Sequence, residues 1–309
     1  MSERTKIVLK SGKDQSLRRY HPWVFSGAIK KIHGVAREGE LVDVYDNHDE
    51  FLAAGHYQQG SIAVRVISFE QVETNQGFWD RKIAGAWSLR ENLGLTGNKR
   101  TNVFRWVNAE GDGLPGLIVD FYNGALVIQM HSIGMYHSLG SIKTALLKAG
   151  GKRIHTIYNK SNSTLPDKPG ITDRSGFLLG KLEKGEVLEN GYKFSVNWTE
   201  GQKTGFFVDQ RENRKLVESW SADRRVLNMF AYTGGFSIYA LGGKARLVHS
   251  VDSSGKAIDL ARLHVEMNFP ENNSHEAKAE DASNFMKDIK NKYDLIILDP
   301  PAFAKHQNV

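Results

Sequence analysis

The stretch Arg225-Val226-Leu227-Asn228-Met229-Phe230-Ala231-Tyr232-Thr233-Gly234-Gly235-Phe236-Ser237 decides the fold. Its first half reads as a buried strand, and its second half as a turn of small residues that opens a helix. At such a turn a ligand can lie against bare backbone, and the helix N-terminus offers amide donors to a carboxylate. Working outward, helices at 211–219, 235–241, 254–268 and 282–290 alternate with strands at 225–230, 247–252, 275–279 and 293–299. That alternation predicts a doubly wound parallel sheet. Gly234 and Gly235 stand side by side, so the dinucleotide fingerprint G-x-G-x-x-G is absent and a nicotinamide cofactor is disfavoured.

Acidic residues close the successive strands. Asp252 follows Val248-His249-Ser250-Val251 about 20 residues after the glycine turn, where a carboxylate can accept both hydroxyls of a ribose. Asp281, in Glu280-Asp281-Ala282, could meet an adenine amine. Asp299 heads Asp299-Pro300-Pro301-Ala302-Phe303, whose two prolines end the strand and hold the backbone extended. The Asp299 carboxylate and the Pro300 carbonyl then become fixed acceptors. One acid at a strand end is ordinarily a solvated turn residue; three in series point to a ribose-bearing cofactor. Upstream, Gln202-Lys203-Thr204-Gly205-Phe206-Phe207-Val208-Asp209-Gln210-Arg211 pairs two aromatics with a Gln-Arg end, able to cover an adenine or a flipped base, although each aromatic alone would more often be core.

Toward the N-terminus the texture changes. From Ile7 to about Phe69, short alternating runs separated by Gly, Asn and Asp predict a small β barrel or sandwich. A helix at about 77–93 carries Trp79 and Trp87, read as core rather than cofactor contacts. Strands at 103–108, 117–122 and 125–131, the second and third joined by Asn123-Gly124, precede a helix at 136–149 and a strand at 154–159. A polar loop at 161–176 and a hairpin around Asn190-Gly191 follow. The chain therefore divides into residues 1–72, a central α+β domain at 73–188, and the α/β domain at 189–309.

Composition narrows the function classes. The 309 residues contain no cysteine, which excludes disulfides and thiolate metal sites; no metal is expected, and a reduced, cytoplasmic setting is. No apolar run approaches the roughly 20 residues of a membrane span. Net charge is +6, but residues 1–37 hold nine Lys or Arg (Arg4, Lys6, Lys10, Lys13, Arg18, Arg19, Lys30, Lys31, Arg37) against Glu3 and Asp14. That asymmetry suggests a polyanion partner, the alternative being a merely solvated basic face.

Together these strings resemble the bacterial 23S ribosomal RNA cytosine-5 methyltransferases of the large-subunit type. Asn228 to Ser237, Asp252, Asp281, Asp299 to Phe303 and above all Lys203 to Arg211 carry the resemblance. His21-Pro22-Trp23-Val24-Phe25-Ser26-Gly27-Ala28-Ile29 is similar to that family's PUA domain, and Val107 to Asp120 to its central domain. The resemblance implies a PUA-like β barrel, a central α+β domain and a Rossmann-like class I methyltransferase domain binding S-adenosylmethionine. Its implied cofactor set is Gln210, Phe230, Tyr232, Gly234, Asp252, Ser253, Asp281, Ala282 and Asp299, the last beside the transferred methyl as the catalytic residue. Arg18, Arg19, His21, Trp23, Lys30, Lys31, Lys203 and Arg211 would meet 23S ribosomal RNA, and a homodimer is allowed. Family members attack cytosine C6 with a cysteine, which makes C5 nucleophilic. No cysteine is present and four sheet strands are encoded, so the expectation is a catalytic domain cut short and inactive as it stands. Two rivals stay open: methylation of a purine exocyclic amine, and RNA binding without turnover.

Overall fold

A computed structural model of the chain describes residues 4–166, 171–172, 175–181, 185–289 and 292–300. They form two compact units, one from the described parts of 1–98, 102–183 and 198–206, the other from those of 99–101, 184–197 and 207–309.

In the first unit, β1 (Lys6–Leu9), a one-turn helix α1 (Gln15–Arg18), β2 (Trp23–Phe25), β3 (Ile29–His33), β4 (Leu41–Tyr45), β5 (Phe51–Tyr57) and β6 (Ile62–Ser68) build a six-stranded sheet. Its order is β2-β6-β5-β4-β1-β3. Only β1 and β4 pair in parallel; every other pairing is antiparallel. The period-2 pattern that the sequence displays sends Ile7, Leu9, Val42, Val44 and Val64 into one core.

The same unit continues with α2 (Gln76–Asn92), β7 (Val103–Asn108), β8 (Leu117–Tyr122), β9 (Ala125–Met130), α3 (Ile133–His137), α4 (Leu139–Gly150), β10 (Thr156–Lys160) and β11 (Ser175–Leu179). The five strands run in the order β11-β10-β9-β8-β7. Asn75 caps α2, its side chain accepting from the Phe78 amide at 3.1 Å. Asn123 and Gly124 both take positive φ, 49° and 97°, as a tight type I′ hairpin turn requires. Trp79 and Trp87 are buried in the core, as expected. Arg90 is buried as well, and its guanidinium forks onto Asp112 at 2.5 and 2.9 Å.

Two expectations change here. The helix expected at 136–149 is two helices, because Ser132 caps an earlier start by accepting from the Met135 amide and the chain breaks at Ser138. The loop expected at 161–176 ends in β11, which pairs antiparallel with β10. Its Gly176 and weak alternation hide that strand from a periodicity reading.

The second unit opens with the hairpin β12 (Gly185–Glu189) and β13 (Tyr192–Val196), turned at Asn190 and Gly191 with φ of 52° and 92°. Then α5 (Arg211–Trp220), β14 (Arg225–Met229), α6 (Gly235–Gly242), β15 (Leu247–Asp252), α7 (Gly255–Asn268), β16 (His275–Ala279), α8 (Ala282–Phe285) and β17 (Leu295–Leu298) alternate as the sequence predicts. The order is β16-β15-β14-β17, with all pairings parallel. Chain order therefore reverses between β14 and β17, the switch point where open α/β sheets hold their ligands. The helix expected to reach 290 is shorter: α8 passes into a 3-10 turn at Met286–Asp288.

Candidate active site

Because all four strands are parallel, their C-terminal ends share one edge of the sheet. That edge carries the turn after β14, Asp252 closing β15, Asp281 after β16 and Asp299 after β17. Pro301, Ala302 and Phe303 lie outside the described residues.

The turn after β14 is unusual in its backbone. Phe230 and Tyr232 both adopt left-handed φ, 53° and 46°, and Gly234 follows at 75°. Side-chain-bearing residues rarely occupy that region, and such strain gathers at ligand sites. Several contacts hold the turn. The Asp252 carboxylate accepts from the Tyr232 amide at 2.8 Å through Oδ2 and from the Ser254 amide at 2.9 Å through Oδ1. The Ala231 amide donates to the Val251 carbonyl at 3.0 Å. Phe207 meets the Tyr232 ring edge to face, centroids 5.4 Å apart. Gly234 has no room for a side chain, since a Cβ there would stand 2.8 Å from that of Ala261.

Each Asp252 oxygen accepts one backbone hydrogen and keeps a second lone pair, so the carboxylate can still receive two vicinal hydroxyls. It is half-buried, which leaves it reachable. This pair of acceptors fits the ribose of the expected cofactor. Ser253 is exposed beside it. Asp281 is exposed and caps α8: its Oδ1 accepts from the amides of Ser283 at 2.9 Å and Asn284 at 3.2 Å, while Oδ2 takes no part in the cap. Ala282 and Phe230 are half-buried and pack on a small cluster of Leu227, Met229 and Val251. Asp299 is exposed at the end of β17, one residue past Leu298, which pairs with Met229.

The Gln-Arg string is divided between the two units: Lys203 through Phe206 belongs to the first, Phe207 through Arg211 to the second. Phe206 is buried, while Phe207 is half-buried against Tyr232. Gln210 accepts from Asn213 Nδ2 at 2.7 Å, and Arg211 pairs with Glu212 at 2.8 Å.

Two supports of the turn were invisible to sequence reasoning. His264, buried on α7, donates from Nδ1 to the Thr233 carbonyl at 2.8 Å and accepts the Ser195 amide at Nε2 at 2.9 Å. Burial holds its imidazole below the usual range, so it stays neutral in this tautomer. Arg214 is the second. Its guanidinium forks onto Glu189 at 2.7 and 2.7 Å and donates to the Phe207 carbonyl at 3.0 Å. Tyr239 completes the buried group by donating to Glu189 at 2.9 Å. No sequence signal could have found these pairings, because 31 and 25 residues separate the partners.

On the N-terminal sheet the expected RNA contacts divide. Arg18 is engaged by Asp14 at 2.6 Å, Asp46 at 2.9 Å and Glu50 at 2.7 Å. Lys30 reaches Asn47 at 2.5 Å. Arg19 and Lys31 are exposed with no side-chain partner among the described residues. His21, just before β2, and Trp23 and Phe25 on it form an aromatic row, with successive centroids 5.8 and 6.3 Å apart. Among the described residues no helix is long and apolar enough to cross a membrane.

Comparison with known proteins gives two family matches, a PUA-like domain at residues 7–69 and an S-adenosylmethionine-dependent methyltransferase at 117–309. The chain is 38% identical over 308 residues to the ribosomal RNA large subunit methyltransferase I of Alteromonas mediterranea, covering 98% of this chain and 77% of that protein. The Vibrio cholerae protein of the same name is 39% identical over 311 residues, covering 97% and 76%. Among solved structures, a proposed SAM-dependent methyltransferase from Streptococcus mutans superposes with TM-score 0.83 at 25% identity, over 96% of this chain and 77% of that one. A methyltransferase structure complexed with SAH gives TM-score 0.85 at 25% identity, over 98% and 78%. The expectation of a chain cut short finds no support in these comparisons.

Proposed function

The chain belongs to the S-adenosylmethionine-dependent methyltransferases and carries a PUA-like domain, and from that premise we propose that it acts on large-subunit ribosomal RNA, at C5 of a cytosine. The observation that carries the reading is the Asp252 carboxylate, bonded to the strained Tyr232 amide and open to two further donors at the switch point of the sheet. Asp252 would hold the cofactor ribose, with Ser253 beside it. Oδ2 of Asp281 and the flank of Ala282 would meet the adenine, and the turn of Phe230, Tyr232 and Gly234 the remainder, with Gln210 nearby. S-adenosylmethionine, when bound, supplies an electrophilic methyl group. Asp299 would orient the acceptor base at that end. No residue of this chain offers a thiolate for addition to C6, so the residues present provide binding and orientation.

For the RNA, Arg19, Lys31, His21 and Trp23 are the contacts best placed, with Lys30, Arg18, Lys203 and Arg211 as further members. The division into an RNA-binding segment at 1–72, a central segment at 73–188 and a methyltransferase segment at 189–309 belongs to the same reading, as does a cytoplasmic site of action. Support comes from the ribosomal RNA methyltransferases at 38–39% identity. The test is isothermal titration of S-adenosylhomocysteine into the chain, set beside label transfer from S-adenosylmethionine to unmodified large-subunit ribosomal RNA. Saturable cofactor binding is expected, with any label found on cytosine. Label confined to a purine amine would move the reading to the exocyclic-amine class, and no cofactor binding would end it.

A further inference from the structure

A cleft of about 510 Å³ opens in the first unit between the end of β6 and helix α2, remote in sequence from every residue assigned above to the cofactor. Its floor includes the buried Phe78, and one wall is made by Tyr20 and Phe69, whose rings meet edge to face with centroids 5.0 Å apart. Tyr20 is 74% exposed although its neighbours offer apolar cover, and its backbone sits at φ 61°. A bulky residue is costly in that left-handed position, which glycine fills freely. The position is the left-handed residue that ends α1, with the Tyr20 amide donating to the Leu17 carbonyl at 2.8 Å, and it holds the exposed ring in place at the mouth of the cleft.

The polar lining is balanced. Arg81 and Lys82 stand on α2, opposite Glu70 and Glu110. Lys82 Nζ donates to the Gly113 carbonyl at 3.3 Å, and Glu110 accepts the Trp23 indole hydrogen at 3.0 Å through one oxygen, leaving the other oxygen free. Arg81 has no hydrogen-bond or ion-pair partner among the described residues. Two cations against two carboxylates make the cleft nearly neutral, which does not select a phosphate. It suits a flat, uncharged ring edged with both donors and acceptors: carboxylates for exocyclic amines, Arg and Lys for ring carbonyls. RNA-binding proteins take up splayed, unpaired bases on aromatic side chains in this way.

We propose that this cleft binds one unpaired, amine-bearing nucleobase of the RNA substrate, stacked on Tyr20 and read by Glu110 and Arg81. The proposal rests on the RNA reading above. It gives the N-terminal sheet a way to recognise a flipped or single-stranded base, and it gives a role to the bond between Trp23, the middle ring of the row His21, Trp23 and Phe25, and Glu110. Trp23 supplies the hydrogen that fixes the Glu110 carboxylate.

The test uses the full chain and an unmodified large-subunit ribosomal RNA transcript in filter binding, at several salt concentrations. Tyr20→Gly removes the ring and relieves the backbone, so its melting temperature should hold or rise while RNA affinity falls about tenfold, the loss expected for one stacked base. The slope of affinity against salt should stay as in the parent, because no charge is removed. Arg81→Met should also weaken binding several-fold. Transcripts carrying 6-thioguanosine or 8-azidoadenosine, which keep an exocyclic amine, should crosslink to peptides bearing Tyr20 or α2, and lose those crosslinks in Tyr20→Gly. If the parent binds and both folded variants bind equally well, the cleft is overturned and the RNA reading stands. If the parent itself binds no RNA, the RNA reading falls and this proposal falls with it.

Discussion

The N-terminal sheet and the parallel sheet handle their charges differently. On the N-terminal sheet three of the nine cations counted in the sequence are taken up by carboxylates of the fold: Arg4 bonds Asp43, Lys6 pairs with Asp49, and Arg18 collects three carboxylates. On the parallel sheet, the three acids found at strand ends stand on one edge, with Asp252 and Asp281 bonded to backbone amides in a way that leaves acceptor capacity over. A charge count says nothing about whom each charge will meet. A topology rule says where each strand end must lie.

The comparison can be broken first at its buried charges. Arg214 and Glu189 are both fully buried, so Arg214→Met leaves an uncompensated carboxylate and should cost about 3–5 kcal/mol in chemical denaturation. Arg18→Met removes an exposed guanidinium whose one buried partner, Asp46, keeps the His48 and Glu50 amides, and should lower the denaturation midpoint only slightly. Equal losses would mean that exposure does not separate the two regions. Stability against pH gives the next effect. Burial pushes His56 down to about 4, burial and then the neighbouring His249 push His275 down to about 4, and burial lowers His264. Each stays neutral in the folded chain while its unfolded counterpart takes a proton near pH 6.5. Their contribution is therefore full above about pH 6.5 and lost as pH falls toward 4. A denaturation midpoint flat across that range would show that these imidazoles protonate without unfolding the chain.

Smaller effects sharpen the site itself. Asp252→Ala should weaken S-adenosylhomocysteine at least about tenfold by titration calorimetry, because hydrogen bonds to a charged group are each worth roughly 1.5–3 kcal/mol. Asp281→Ala removes a helix cap worth about 1 kcal/mol. Asp281→Asn keeps the cap, so any loss of cofactor affinity that it shares with Asp281→Ala reports the adenine and not the helix.

What was legible in the sequence follows the same division. The bounds of β15 and β16 read correctly because apolar alternation and short turns fix them locally. Both Asn-Gly turns were legible since their backbone demands few residue types. The strand β11 was not, and neither was the break between α3 and α4, because neither is marked by periodicity. Glu189 falls in the hairpin around Asn190-Gly191 and Arg214 in the helix read at 211–219, and nothing in either segment announces that the tertiary fold makes them partners. The left-handed strain at Phe230 and Tyr232 was also hidden, as nothing in two aromatics announces a glycine-like backbone.

The central claim is that the cofactor lies at the edge where β14 and β17 part, with its ribose on Asp252. A crystal structure of the chain soaked with S-adenosylhomocysteine tests it directly. Density for the adenosine beyond the C-terminal ends of β14 and β15, both ribose hydroxyls within hydrogen-bond distance of the Asp252 carboxylate, is the expected result. Density for the adenosine elsewhere, with Asp252 bonded only to the Tyr232 and Ser254 amides, would contradict it.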